Sequence, residues 1–135
     1  MLKAILSNRR AAELNKRSLN RANLTRHVLT GANLTRGNMR GANLSSANLV
    51  CANLTEANLM EANFSNANMV DAKLSRAKLT GADFSKADVN GVNFRNTDLS
   101  AAKNLTLQQI RSAKVDETTK LPRAFQAQMP KTGRY

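Results

Sequence analysis

Residues 41–64 read GANLSSANLVCANLTEANLMEANF, in which alanine, asparagine and a large apolar residue return every fifth position, followed by two freely varied residues. Neither regular backbone has that period. A helix brings one face round every 3.6 residues and a strand every 2, so a strict rhythm of five demands another geometry. Counting outward in fives from Leu14 to Leu99 gives eighteen positions, all large and apolar. Two residues before each stands a small residue, as in Ala32, Gly37, Ala42 and Ala87, with Arg17, His27, Val92 and Thr97 as the exceptions. Asn or Asp fills the place between in most quintets, for example Asn23, Asn43, Asn53, Asp83 and Asp98.

A fixed short period means one unit stacked on copies of itself, each burying its apolar side only because its neighbours exist. Each quintet is then one short side of a coil. Its large and small residues point inward and its two free positions outward. The small residue is required because a narrow interior packed at crystal-like density cannot take a large side chain from every inward position. Asn and Asp are expected at the corner, since they tolerate unusual backbone angles and bond nearby amides. Composition agrees: the 135 residues are 41% apolar but hold no Trp, one Tyr and four Phe, so repetition has to replace aromatic bulk.

The unbroken A-(N/D)-L-x-x tandem resembles the pentapeptide-repeat family, over about residues 12–101. The resemblance implies an all-β solenoid, a right-handed quadrilateral β-helix with four quintets per coil, so that residues twenty apart stack. Eighteen quintets then make about four and a half coils, a rod roughly 20 Å long at ~4.8 Å between stacked strands. One interior column runs Leu14, Leu34, Leu54, Leu74 and Phe94, and another runs Leu24, Leu44, Phe64 and Phe84.

Both ends of such a rod need cover. Leu2, Ile5 and Leu6 have the spacing of a helical turn, which makes residues 1–11 an N-terminal cap. Thr106 and Gln109 read as a capping box, with Leu105 and Ile110 as a hydrophobic staple, so a helix over about Leu107–Ala113 is expected to close the other end. Residues 102–121 hold this helix and an irregular turn, and 122–135 are expected to form a mobile basic tail.

The chemistry-bearing residues are few. His27, the single histidine, occupies a small-residue position with no partner base in the sequence pattern, and reads as a tolerated residue of an irregular coil. The serines and threonines after the large position recur with the repeat and read as wall. Cys51, the sole cysteine, cannot form an intrachain disulfide and reads as a surface thiol. No metal-ligand set, phosphate loop or dinucleotide fingerprint is present. A non-enzyme without cofactor, metal or small-molecule substrate is expected. The chain lacks an apolar run long enough for a membrane span or a signal-peptide core, so cytoplasmic residence is expected.

Charge is the remaining feature. The net charge is +12, and residues 1–40 hold nine Lys or Arg against one acid, whereas 41–72 hold three acids and no base. Arg9, Arg10, Lys16, Arg17, Arg21, Arg26, Arg36 and Arg40 are therefore the candidate interaction surface. The favoured function is a non-catalytic scaffold that presents flat walls to a protein partner. The alternative is unspecific binding of nucleic-acid phosphates or anionic membrane by those cations. The resemblance also implies, for quinolone-resistance members, acidic rods that imitate DNA on gyrase. A chain of +12 imitates DNA poorly and is more similar to the small cyanobacterial cytoplasmic members, which look like adaptors.

Overall fold

The computed structural model describes residues 18–128. The expected N-terminal cap, Leu14 and residues 129–135 lie outside the described residues. Isolated parallel bridges join Ser18 to Asn38, Asn23 to Asn43, Val28 to Asn48 and Asn33 to Asn53, and the same twenty-residue step repeats upward through the stack. Four quintets therefore make one coil. Each wall position pairs once below and once above, which is too little contact for a conventional strand but forms a continuous ladder along the rod. Asn43 N–H donates to Ala22 O and Leu44 N–H to Asn63 O, so the backbone of every coil is bonded to both neighbours.

The interior follows from the two inward positions. Leu24, Leu34, Leu44, Leu54, Phe64, Leu74, Phe84 and Phe94 are at most 1% exposed, and Ala42, Ala52, Ala57, Ala62 and Ala72 are fully buried between them. Phe64 and Phe84, one coil apart, stack with centroids 5.2 Å apart, and Phe94 meets Phe84 edge-on at 5.8 Å. Both arrangements are favourable for rings with a negative face and a positive edge.

The corners differ from the sequence expectation. Each is a tight turn closed from the small residue to the preceding large one, as in Ala57 N–H to Leu54 O at 3.0 Å. The left-handed backbone falls on the residue just before the small one: Arg36, Ser46, Cys51, Glu56, Glu61 and Arg76 all have φ between 57° and 62°. Gly31, Gly41, Gly81 and Gly91 occupy the same slot. The Asn and Asp of the repeat rhythm instead sit on the walls, at the paired positions, and serve only the second of the two roles proposed for them, whereas Asn66, Asp71 and Asn96 do take the left-handed slot. A turn with φ > 0 at its third residue favours Gly or Asn there, yet this chain places long polar side chains such as Arg36, Glu56, Arg76 and Lys86 at several of these points, at a cost of roughly 1–2 kcal/mol each relative to right-handed backbone. Stacking from both neighbouring coils holds them.

The upper end departs from the twenty-residue step. Asn93 pairs with Lys114 and Asp98 with Lys120 because a helix, Leu107–Ser112, is inserted in the last coil. Its capping box is complete, with Gln109 N–H donating to Thr106 Oγ1 and Thr106 N–H to Gln109 Oε1. Gln109 Nε2 also donates to Phe84 O and Ala87 O, so one side chain both caps the helix and satisfies the carbonyls beneath it. Leu105 and Ile110 are buried as the staple requires. Beyond Pro122, a single turn of helix spans Arg123–Gln126 and lays Phe125 partly against the core, so an apolar contact holds the start of the segment expected to be a tail. Lys103, Lys114 and Lys120 occupy the last paired position on three walls, where lysine opposes further strand addition.

The ladder opens at two corners, one at Lys86 and Val89, whose N–H groups make no backbone bond among the described residues, and one at Arg76 and Leu79. In the coil below the second of these, Glu56 N–H reaches Ser75 O, Leu59 N–H reaches Lys78 O and Lys78 N–H reaches Ala57 O. One coil higher, the corresponding N–H groups of Arg76, Leu79 and Asp98 make no backbone bond among the described residues. The cause is Thr97, a polar residue at a small-residue position. It is 2% exposed, and its hydroxyl lies 3.0 Å from both Leu74 O and Arg95 O.

We expect Ala62→Leu to cost about 1–3 kcal/mol or more by overpacking the narrow interior, whereas Ser46→Leu on an exposed corner changes stability by less than about 0.5 kcal/mol. Chemical denaturation of the two variants distinguishes inside from outside. At the corners, Lys86→Gly should raise stability by up to about 1 kcal/mol and Gly91→Ala should lower it by a similar amount or more. The second change combines a φ of +72° with a Cβ placed against the Asp71 carboxylate.

Candidate interaction surface

The outward side chains form regular columns. On most walls the Asn or Asp side chain accepts the N–H of the residue two places on: Asn43 from Ser45 at 3.0 Å, Asn53 from Thr55 at 3.1 Å, Asn63 from Ser65 at 2.8 Å and Asp83 from Ser85 at 2.9 Å. The hydroxyls of Thr25, Thr35, Ser45 and Thr55 donate to the same oxygen, which leaves them as wall elements. From Asn23 to Asp98, four wall positions lack this bond: Val28, Asn38, Lys73 and Lys78. Lysine cannot accept one.

Of the eight candidate cations, Arg9, Arg10, Lys16 and Arg17 lie outside the described residues. The other four do not share one wall. Arg21 and Arg26 stand at successive corners of the lowest described coil and Arg36 at the corner preceding the next, while Arg40 flanks the corner above Arg21. Arg36 faces Glu56 at 3.6 Å and Arg40 bonds Glu61 at 2.9 Å. Both pairs are solvent-exposed, so each contributes at most about 1 kcal/mol. The Arg36–Glu56 contact is the lower half of an alternating column, and Glu56 makes no ion pair with Arg76 above it. The basic residues thus ring the lower coils, interleaved with acids.

A second cationic group was not singled out in the sequence. Lys73, Arg76 and Lys78 lie in one coil on a wall, its corner and the next wall, all exposed and without an ion pair among the described residues. Its signal is present in DAKLSRAKLTG, residues 71–81, where lysine twice replaces the asparagine of the rhythm. In the coil above, Arg95 lies 3.5 Å from Asp116, whereas Lys86 makes no ion pair among the described residues; beyond it, Lys120 lies close enough to Asp98 to act on its charge.

The remaining candidates carry no assembled chemistry. His27 Nδ1 lies 3.2 Å from Thr25 O, and its Nε2 is buried with no hydrogen-bond partner among the described residues. Cys51 is exposed at a corner. Among the described residues no cluster of His, Cys, Asp and Glu could hold a metal ion, and no helix is long and apolar enough to cross a membrane.

Two carboxyls are held below the ordinary aspartate range. Asp98 is lowered by the Ser100 hydroxyl and then by the Ser100 N–H, against an opposing effect of burial, with the Lys120 charge the smallest contribution. Asp116 is lowered by the hydroxyl and N–H of Thr118 and by Arg95.

This geometry, a four-sided stack with a five-residue wall unit, defines a repeat protein of the pentapeptide class. The pentapeptide repeats profile matches residues 10–45, 38–76 and 77–105, in 8 copies, and the chain belongs to that family. It is similar to the solved pentapeptide repeat protein Rfr23 from the cyanobacterium Cyanothece, at 27% identity and a TM-score of 0.53, covering 73% of this chain and 53% of that one. It is also similar to HetL from Nostoc, a pentapeptide repeat protein involved in heterocyst differentiation regulation, at 27% identity, 76% and 54% coverage and a TM-score of 0.31. A pentapeptide repeat protein of the Arabidopsis thaliana thylakoid lumen shows 25% identity, 83% and 63% coverage and a TM-score of 0.35. The chain spans between 53% and 63% of the length of these three solved chains. No curated protein matches significantly.

The Asp98 carboxyl gives a pH prediction. Its folded pKa lies below the unfolded value of about 3.9, so the folded state binds fewer protons near that pH. Its stabilising contribution is complete above the unfolded value and is lost as pH falls through the folded one. Asp98→Asn keeps an acceptor for Ser100 but removes the titration, so we expect the melting temperature of the variant to fall less steeply than wild type below about pH 4. An unchanged slope would remove Asp98 from the acid response.

Proposed function

We propose that this chain is a non-catalytic interaction module, a right-handed quadrilateral rod that presents rigid walls to a protein partner in the cytoplasm. On this reading residues 1–11 cap the rod, 12–101 form about four and a half coils, 102–121 close it and 122–135 extend from it as a basic tail, with no cofactor and no small-molecule substrate. The observation that carries the proposal is the columnar wall. Side chains recur at a fixed twenty-residue step, and the backbone beneath is bonded above and below, so a partner meets a pre-ordered array and immobilises few groups on binding. Repeat stacks of this kind serve as extended binding surfaces.

The alternative, phosphate or anionic-membrane binding by Arg9, Arg10, Lys16, Arg17, Arg21, Arg26, Arg36 and Arg40, has less support, because Arg36 and Arg40 already face Glu56 and Glu61. The test of the module is affinity capture from native lysate at low and moderate salt. One protein should be recovered reproducibly with wild type, and failure to recover any would sink the reading. In parallel, replacing Arg21, Arg26, Arg36 and Arg40 by Gln should leave any affinity for duplex DNA near physiological salt unchanged. A marked loss, with a shallower salt dependence, would favour phosphate binding instead.

A further inference from the structure

At one of the two corners where the ladder opens, both flanking walls also lack their turn bond, and these breaks coincide with a cationic group. Lys73 and Lys78 replace the wall asparagines on either side of Arg76. The equivalent residues one coil below, Asn53 and Asn58, accept the N–H of Thr55 and Met60, at 3.1 and 3.2 Å. Both lysines therefore forgo a turn bond that the rest of the rod makes almost everywhere. Directly above, Thr97 opens the backbone ladder, so the N–H groups of Arg76 and Leu79 make no backbone bond among the described residues. Arg76 itself stands in left-handed backbone at φ 59°, where glycine or asparagine would be less strained. Several locally unfavourable choices placed together point to a surface with a role other than stability.

We propose that Lys73, Arg76 and Lys78 form a docking corner for an acidic segment of a partner protein. This rests on the interaction-module reading and names the wall that reading left open. Charge complementarity fixes the chemistry. The three cations make no ion pair among the described residues, which is also true of Arg21, Arg26 and Lys86, but they alone stand together on a wall, its corner and the next wall of one coil; Arg36 and Arg95 have Glu56 and Asp116 within 4.0 Å. Glu56 lies below the group on its corner and Asp98 above it on its wall, which bounds the cationic area along the rod to about one coil, on the order of 5 Å. An area so short, with acids at both limits, matches a few carboxylates on a peptide. A nucleic-acid duplex needs cations spread over many phosphates. The arginine fork and the two lysines beside it supply planar and point-charge donors for those carboxylates.

The probe is a fluorescein-labelled Glu/Gly peptide, titrated against the full chain at low and near-physiological salt. Wild type should bind it, and the triple variant Lys73→Asn, Arg76→Asn, Lys78→Asn should bind roughly tenfold or more weakly, the loss of about three exposed charge pairs. The same variant should melt at an equal or higher temperature, because the new asparagines restore the turn bonds to Ser75 and Thr80. A control of equal charge, Arg21→Asn, Arg26→Asn, Lys86→Asn, should retain most of the affinity. Equal loss in both variants would reduce the effect to net charge and overturn the proposal. So would absence of peptide binding to wild type, or stronger competition by a duplex DNA than by unlabelled peptide. If the docking-corner variant still captures the same lysate partner as wild type, this corner is wrong while the module reading stands.

Discussion

The structure depends on a turn made every five residues, in which the small residue's N–H closes back onto the large residue's carbonyl. Leu54 O accepts from Ala57 N–H and Leu59 O from Ala62 N–H, and the residue between must adopt left-handed backbone. The turn brings each large side chain into a central column and leaves little space beside it, which alanine fills on most walls and Val92 and Thr97 fill near the upper end. Once four such turns close a coil, the ladder to the next coil fixes every wall position twenty residues from its neighbour. Local conformational cost is therefore offset by non-local bonding, and a coil gains its stability only within the stack.

That dependence explains where the chain tolerates variation. Corner residues face solvent, and their backbone conformation is imposed by the coils on either side, so arginine, glutamate, cysteine and glycine all occur there. Wall residues are more restricted, because an Asn or Asp oxygen is needed for the following N–H. Interior residues are restricted most. Thr97 is instructive: one hydroxyl at an alanine position lies 3.0 Å from Arg95 O and from Leu74 O, which also keeps its bond from Ala77 N–H, and the ladder above Arg76 opens. The cationic corner thus lies at one of the two openings in the ladder.

Much of this was legible in the sequence. The period of five, the interior columns through Phe64 and Phe94, and the Thr106–Gln109 capping box are local patterns with one physical meaning each. The placement of the left-handed residue was not legible, because Arg36, Glu56 and Arg76 carry no intrinsic preference for that conformation, and stacking alone imposes it. The pairing within the basic surface was not legible for a related reason. Counting charge along the chain favours residues 1–40, but Arg36 and Arg40 meet acids from the coil above, which linear order conceals. Lys73 and Lys78 looked unremarkable until the bonds their neighbours make showed what lysine gives up. Gln109 could be read as a helix cap, but its bonds to Phe84 O and Ala87 O depend on where the helix settles.

The account's central claim is the twenty-residue register, and a disulfide measures it directly. Stacked wall residues are separated by about 4.8 Å, within the Cα distance that a disulfide spans. In a Cys51→Ser background, the pair Asn48→Cys and Asn68→Cys should cross-link readily under mild oxidation and raise the melting temperature. The pair Asn48→Cys and Asn63→Cys, set on adjacent walls and different coils, should remain reduced within the monomer. Efficient cross-linking of the second pair, or failure of the first, would contradict a coil of four quintets.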